Sequence, residues 1–128
     1  MTDKKKIKIL MAEDEEDIFT TISFALRAKG YDVCGASDGE EALKKVEEEN
    51  PDVIILDVKM PKKDGYEVCK ILKSDERFKK IPVLMFTALK EDKKGYDSGA
   101  DAFMIKSFAT YEDIIFKITE LLLAKGHL

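Results

Sequence analysis

An α/β domain built on a single parallel sheet is the fold class the sequence predicts, and three observations predict it. Short apolar runs alternate with helical stripes along the chain, five of each. One of these runs, Val53-Ile54-Ile55-Leu56, is almost purely β-branched, as expected of a strand buried on both faces. Acids, a hydroxyl and a lysine stand directly after four of the runs, where an open parallel sheet gathers its chemistry.

The elements follow in order. Ile7 to Ala12 is a first strand that ends in acid, and a helix follows with its apolar stripe on Ile18, Phe19, Ile22, Ala25 and Leu26, closed by Gly30. Tyr31 to Ala36 is a second strand, and Ser37-Asp38-Gly39 forms the turn and cap of a second helix carrying Ala42, Leu43 and Val46. Asn50-Pro51 stops that helix, because the residue before a proline is driven out of the helical region. The Val53 run is the third strand. Met60-Pro61-Lys62-Lys63-Asp64-Gly65 is a loop, and a third helix buries Val68, Ile71 and Leu72. A fourth strand runs from Pro82 to Thr87, with its proline at the start, where a missing donor matters least. Glu91 to Ser98 is a poor helix with Gly95 at its centre. Ala102 to Ile105 is the fifth strand, and a last helix buries Ile114, Ile115, Ile118, Leu121 and Leu122.

Five strands alternating with five helices predict a doubly wound sheet with right-handed crossovers, in the flavodoxin-like order 2-1-3-4-5. The 128 residues form one domain (1-128), with a core from about 7 to 124 and a polar tail over 1-6. Apolar residues make up 45% of the chain, enough for a core. Charged residues reach 38%, against roughly 25% in a typical soluble domain. No apolar run approaches the ~20 residues of a membrane span, so no membrane insertion is expected. Met1 to Lys6 is polar and basic, unlike a signal peptide, which makes the cytoplasm the expected compartment. Cys34 and Cys69 match no metal or redox spacing and read as small buried side chains. His127 is the single histidine, which excludes histidine-pair zinc sites and Ser-His-Asp or Cys-His catalysis. A net charge of -4 argues against direct nucleic-acid binding.

In the predicted strand order the ends of strands 1, 3, 4 and 5 bring Glu13, Asp14, Asp57, Thr87 and Lys106 to one crevice. Three carboxylates carry -3, and a divalent cation together with Lys106 restores +3. All-oxygen ligation suits a hard ion, Mg²⁺ or alternatively Mn²⁺, rather than zinc. The same strand ends exclude nucleotide binding of the common kinds. Glu13-Asp14-Glu15-Glu16-Asp17 stands where a glycine-rich phosphate loop would be needed, and five acids repel a pyrophosphate.

Five stretches carry a family resemblance: Ile9-Leu10-Met11-Ala12-Glu13-Asp14, Pro51-Asp52-Val53-Ile54-Ile55-Leu56-Asp57, Met60-Pro61-Lys62-Lys63-Asp64-Gly65, Pro82-Val83-Leu84-Met85-Phe86-Thr87-Ala88 and Gly99-Ala100-Asp101-Ala102-Phe103-Met104-Ile105-Lys106. In this order the chain resembles the receiver domain of bacterial two-component response regulators, of the stand-alone, chemotaxis-regulator kind. The resemblance implies that Asp57 accepts a phosphoryl group from a phosphohistidine on a sensor histidine kinase or phosphotransfer protein. It implies that Glu13, Asp14, Asp57 and the backbone carbonyl of Lys59 hold Mg²⁺. Lys106, the Thr87 hydroxyl and the Ala88 backbone amide would receive the phosphoryl oxygens. Thr87 and Phe103 would then move together and remodel a surface that binds a downstream protein target, with the weak Glu91 to Ser98 helix as the element biased by the switch.

Two positions depart from the family pattern. Ser107 follows Lys106 where proline is usual, so a trans bond is expected, since a non-proline cis bond costs roughly 3–4 kcal/mol. Glu13 replaces the commoner aspartate with a side chain one methylene longer. By the same resemblance, Lys59 and Leu89 would flank the acyl phosphate. The alternative function is a pseudo-receiver, a constitutive interaction module that keeps the fold without the switch. An aspartyl-nucleophile phosphatase is disfavoured because no acid stands at position 59. No output domain is expected after the last helix, and the expected chemistry is self-phosphorylation and slow self-dephosphorylation.

Overall fold

In the computed structural model, residues 6–88, 97–106 and 109–126 are described. Their elements are β1 (Lys8–Ala12), α1 (Glu16–Ala28), β2 (Asp32–Ala36), α2 (Gly39–Glu49), β3 (Val53–Asp57), α3 (Gly65–Lys73), β4 (Val83–Thr87), β5 (Ala102–Ile105) and α4 (Tyr111–Ala124). Every strand pairing is parallel and the sheet order is β2-β1-β3-β4-β5, as the alternation of elements predicts. The expected helix over Glu91 to Ser98 falls almost wholly outside the described residues. So do the Lys106–Ser107 bond, Leu89 and His127.

The period of two along each strand divides the core into two layers. Leu10, Ala12, Ile54, Leu56, Val83 and Met85 face α2 and α3, where Ala42, Val46, Val68, Cys69 and Leu72 meet them. Ile9, Met11, Val53, Ile55, Leu84 and Phe86 face α1 and α4, against Ile22, Leu26, Ile114, Ile118 and Leu122. All five residues of β3 and of β4 are buried, whereas β5 is half-exposed along its length.

Local chemistry explains where the helices start and stop. Asp38 and Asp64 accept the backbone N–H groups of Glu41 and Glu67 (both 2.8 Å), capping α2 and α3. Asn50 ends α2 in the left-handed region at φ 47°, and Gly30, at φ 93°, follows the end of α1. Thr110 and Asp113 form a reciprocal capping box at α4. Thr110→Ala should therefore lower stability by about 1 kcal/mol in urea denaturation.

Ile71 departs from the expected pattern. Placed in the buried stripe by its apolar character, it is 41% exposed, because α3 is rolled so that Gly65, Val68, Cys69 and Leu72 face the sheet. At 100° per residue, Ile71 lies well off that face. Cys69 is buried as expected, while Cys34 on the edge strand is half-buried.

The loop from β3 to α3 is tied down at both ends. The Gly39 N–H at the start of α2 donates to the Pro61 carbonyl (3.2 Å), and the Gly65 N–H donates to the Val58 carbonyl (2.9 Å). A Cβ on Gly39 would overlap the Lys63 carbonyl oxygen, and one on Gly65 would overlap the carbonyl oxygen of Asp57. Between them Lys62 adopts a left-handed φ of 71°.

Candidate functional site

At the carboxyl edge of the sheet, the Glu13 N–H donates to the Ala36 carbonyl (2.9 Å) and carries the β1–β2 ladder one residue past β1. The side-chain alternation of a strand then turns Glu13 inward and leaves Asp14 exposed. Asp57 and Thr87 are the last residues of their strands and both are buried. The Lys106 N–H donates to the Thr87 carbonyl (2.8 Å), which anchors the residue after β5 against β4.

Lys106 is the hub. Its ammonium lies 3.0 Å from Asp57 Oδ2, 2.8 Å from Glu13 Oε1 and 3.1 Å from Glu13 Oε2, and 5.7 Å from the centre of the Phe86 ring. Only the contact to Oε2 has hydrogen-bond geometry on the glutamate. Oε2 also accepts the Glu15 N–H (3.2 Å), while Oε1 is buried without a hydrogen-bond partner. Asp57 Oδ1 accepts the Lys59 N–H at 3.3 Å.

A recess of about 180 Å³ opens over these groups, lined by Asp14, Asp57, Thr87 and Lys106, with Glu15, Lys59 and Ala88 completing its wall. Of the residues singled out in the sequence, Glu13, Asp14, Asp57, Lys59, Thr87, Ala88 and Lys106 thus come together. Phe103 does not line the recess. It sits half-buried on β5, paired in register with Met85 and packed against the core layer of α2 and α3. Glu15 was not foreseen. It stands at the residue before the first turn of α1 without a side-chain capping bond, its N–H holds Glu13, and its carboxylate comes within 3.9 Å of Lys106. Its only sequence signal is its place in the run of five acids.

One carboxylate oxygen from each of Glu13, Asp14 and Asp57 lies within 4.8 Å of the others. Three carboxylates and one ammonium leave two negative charges, and Glu13 Oε1 keeps an unused lone pair in a buried setting. The donor set therefore fits a hard divalent cation that keeps part of its water.

Burial pushes the Glu13 carboxyl up to about 7, and the charge on Asp57 adds to the rise. Lys106 and the Glu15 N–H pull the other way without cancelling it. Burial also works against the charge on Lys106, but the hydrogen bonds and charges of Glu13 and Asp57 outweigh it and raise its pKa. A carboxyl that titrates higher in the folded than in the unfolded chain contributes stability while protonated. That contribution is complete below about 4.5 and is lost as pH rises through about 7. In metal-free buffer, Glu13→Gln should remove this downward slope between pH 5 and 8, as read by urea denaturation at several pH values.

The sequence profile of the response regulator receiver domain matches residues 9–118. The chain is 52% identical over 108 residues to the alkaline phosphatase synthesis transcriptional regulatory protein PhoP of Bacillus subtilis, covering 82% of this chain and 44% of that protein. It is 42% identical over 118 residues to the DNA-binding dual master transcriptional regulator RpaA of Synechocystis, covering 90% of this chain and 48% of that protein. The chain thus spans less than half the length of these curated relatives. Among solved structures it is similar to the chemotaxis response regulator CheY4 of Vibrio cholerae, with a TM-score of 0.86 and 32% identity over 92% of this chain and 100% of that one. The receiver domain of the Francisella response regulator 1452 gives a TM-score of 0.86 and 31% identity over 94% and 99% of the two chains.

Proposed function

Because the chain belongs to the response regulator receiver domain family of two-component signal transduction, we propose that it takes a phosphoryl group onto Asp57 and thereby switches a protein-binding surface. The observation that carries the reading is the convergence of Asp57, Lys106, Glu13 and Asp14 at the carboxyl edge of the sheet, with Lys106 3.0 Å from Asp57.

An Asp57 carboxylate oxygen attacks the phosphorus of a phosphohistidine on a sensor histidine kinase or phosphotransfer protein. The P–N bond breaks, its electron pair stays on the imidazole nitrogen, and an acyl phosphate remains on Asp57. Such a transfer depends on in-line positioning and on neutralising the phosphoryl oxygens. Lys106 pairs with one of those oxygens, and the Thr87 hydroxyl and the Ala88 backbone amide receive another. Glu13, Asp14, Asp57 and the backbone carbonyl of Lys59 would hold Mg²⁺, or Mn²⁺ in its place, and the ion when bound would supply positive charge to the phosphoryl oxygens.

Phosphorylation takes Asp57 from one negative charge to about two and adds acceptor oxygens. Thr87 shares a face of the sheet with Met85, and Phe103 is paired with Met85 in register, so a shift of Thr87 reaches the half-buried ring of Phe103 through one shared layer. The downstream protein target reads that change. The proposal concerns this receiver function, and the transcriptional roles of PhoP and RpaA belong to those longer proteins. Among the described residues no helix is long and apolar enough to cross a membrane, which fits a cytoplasmic site of action and a partner met in solution.

The test is incubation of the protein with acetyl phosphate, and with candidate phosphohistidine donors, in Mg²⁺ or in EDTA. The expected result is a gain of one phosphoryl group with Mg²⁺, labile to hydroxylamine and to base as an acyl phosphate is, that EDTA prevents. No gain with any donor would favour the pseudo-receiver instead.

A further inference from the structure

We propose that Lys73, on the last turn of α3, is a positioning residue that fixes the amino end of β5 and makes Asp101 the pivot about which that strand responds to the phosphorylated site. The inference rests on the phosphoacceptor reading above and deepens it by naming the fixed point of the switch. β5 is the outermost strand of the sheet, and among the described residues it pairs with β4 alone. No neighbouring strand holds its other edge. Each end of β5 is fastened by a lysine. At the carboxyl end Lys106 lies 3.0 Å from Asp57, and a phosphoryl group on Asp57 must rearrange that contact. At the amino end, a strand's length away from the reaction, Lys73 lies 2.8 Å from Asp101 Oδ2.

A lysine ammonium offers three protons, and that of Lys73 has an acceptor for each. Asp101 Oδ2 and the Ile81 carbonyl lie at 2.8 Å, and the Lys79 carbonyl at 3.2 Å. Asp101 Oδ2 also accepts the Val83 N–H (2.8 Å), while the Asp101 N–H donates to the Val83 carbonyl (2.9 Å). One lysine thereby joins the turn before β4, the first residue of β4 and the residue before β5. The chain leading into β5 is shaped to this side chain. Gly99 has φ 89°, and a Cβ there would lie 3.1 Å from Lys73 Cγ, so the backbone passes close beside the lysine stem. Ser98 is buried and hydrogen-bonded to Cys69, which stands four residues before Lys73 on the same face of α3. Ser98, Gly99 and Asp101 therefore rest together on one face of that helix. The helix is itself a fixed base, because at its first residue a Cβ on Gly65 would overlap the Asp57 carbonyl oxygen. A rearrangement at Lys106 then displaces β5 most at Ile105, less at Phe103 and least at Asp101.

The test follows the backbone ¹H–¹⁵N shifts of the full chain as beryllofluoride, a phosphoryl mimic that needs no covalent donor, is added with Mg²⁺. Wild type, Lys73→Met and Asp101→Asn are compared, each checked for cooperative thermal unfolding. Lys73→Met keeps an apolar stem and removes all three hydrogen bonds. Asp101→Asn keeps an acceptor for the Val83 N–H, removes the charge facing Lys73, and carries the test if Lys73→Met does not fold. In wild type the shift changes are expected to be largest at Lys106 and Ile105 and to fall to baseline at Asp101 and Gly99. In the folded variants the changes at Asp101 and Gly99 are expected to become as large as that at Phe103. Without beryllofluoride, the Val83 and Asp101 amides should exchange about tenfold or more faster in Lys73→Met, as for loss of a hydrogen bond to a charged group. Shift profiles in the folded variants that match wild type, even with faster exchange, leave Lys73 a structural contact and overturn the proposal. A wild-type profile that already moves Asp101 as far as Phe103 overturns it as well. Wild type with no change at Asp57, Thr87 or Lys106 overturns the phosphoacceptor reading, and the pivot falls with it.

Discussion

Asp57→Asn protein should gain no hydroxylamine-labile phosphoryl group from acetyl phosphate and Mg²⁺, where wild type gains one. The amide oxygen is a poor nucleophile, and the substitution removes one of the three charges that make the cluster a cation site. The fold should survive this change. Asp57 and Glu13 are two like charges on one ammonium, and neutralising the first relieves their repulsion while Lys106 keeps its hydrogen bond to Glu13. Thermal unfolding of the variant is therefore expected within about 1 kcal/mol of wild type without metal, in the range of substitutions that open no cavity. Intact-mass analysis before and after hydroxylamine treatment, paired with a melting curve, checks both halves. A variant that still acquires a labile phosphoryl group would place the acceptor elsewhere.

The second large effect is expected from Gly65→Ala, a residue that takes no part in the chemistry. A Cβ at this position lands on the Asp57 carbonyl oxygen and within 3.0 Å of both the Asp57 carbonyl carbon and the Val58 Cα. The neighbours are backbone atoms of a fully buried strand and cannot rotate away, so the strain must move β3 or the start of α3. Overpacking of this kind costs roughly 1–3 kcal/mol when side chains yield, and the upper part of that range or beyond is expected here. Gly30→Ala is the control. Nothing lies within 4 Å of its Cβ, and its φ of 93° brings only the left-handed penalty of about 1–2 kcal/mol. Urea denaturation of the two variants should show Gly65→Ala as the less stable. Because the displaced atoms belong to Asp57, its phosphoryl uptake should also fall.

Much of this architecture was legible residue by residue. Val53 to Leu56 announced a strand buried on both faces, and Asp57 and Thr87 were readable as polar residues ending apolar runs. The strand order followed from the alternation, and with it the crevice that brings Lys106 to Asp57 across 49 residues of sequence. What the chain did not disclose is the pairing within that crevice. The Lys106 contact with Glu13 spans 93 residues and depends on side-chain length and on which way Glu13 turns after β1, both tertiary facts. The same holds for Glu15, which reads as one acid in a row of five, and for Ile71, whose exposure is set by the roll of α3 against the sheet. Gly65 looked like a loop glycine, and its contact with the end of β3 at Asp57 appears only when α3 is docked.

The two glycine contacts that bind the β3–α3 loop give the molecule a direction of give. Toward α2 and α3, a disturbance starting at Asp57 runs into peptide pressed on peptide, at Gly65 against Asp57 and at Gly39 against Lys63. Toward β4 and β5 it meets a strand edge that is only half covered. One flank therefore acts as an anvil and the other as a spring, so a displacement imposed at Asp57 is expected to be taken up on the β5 side.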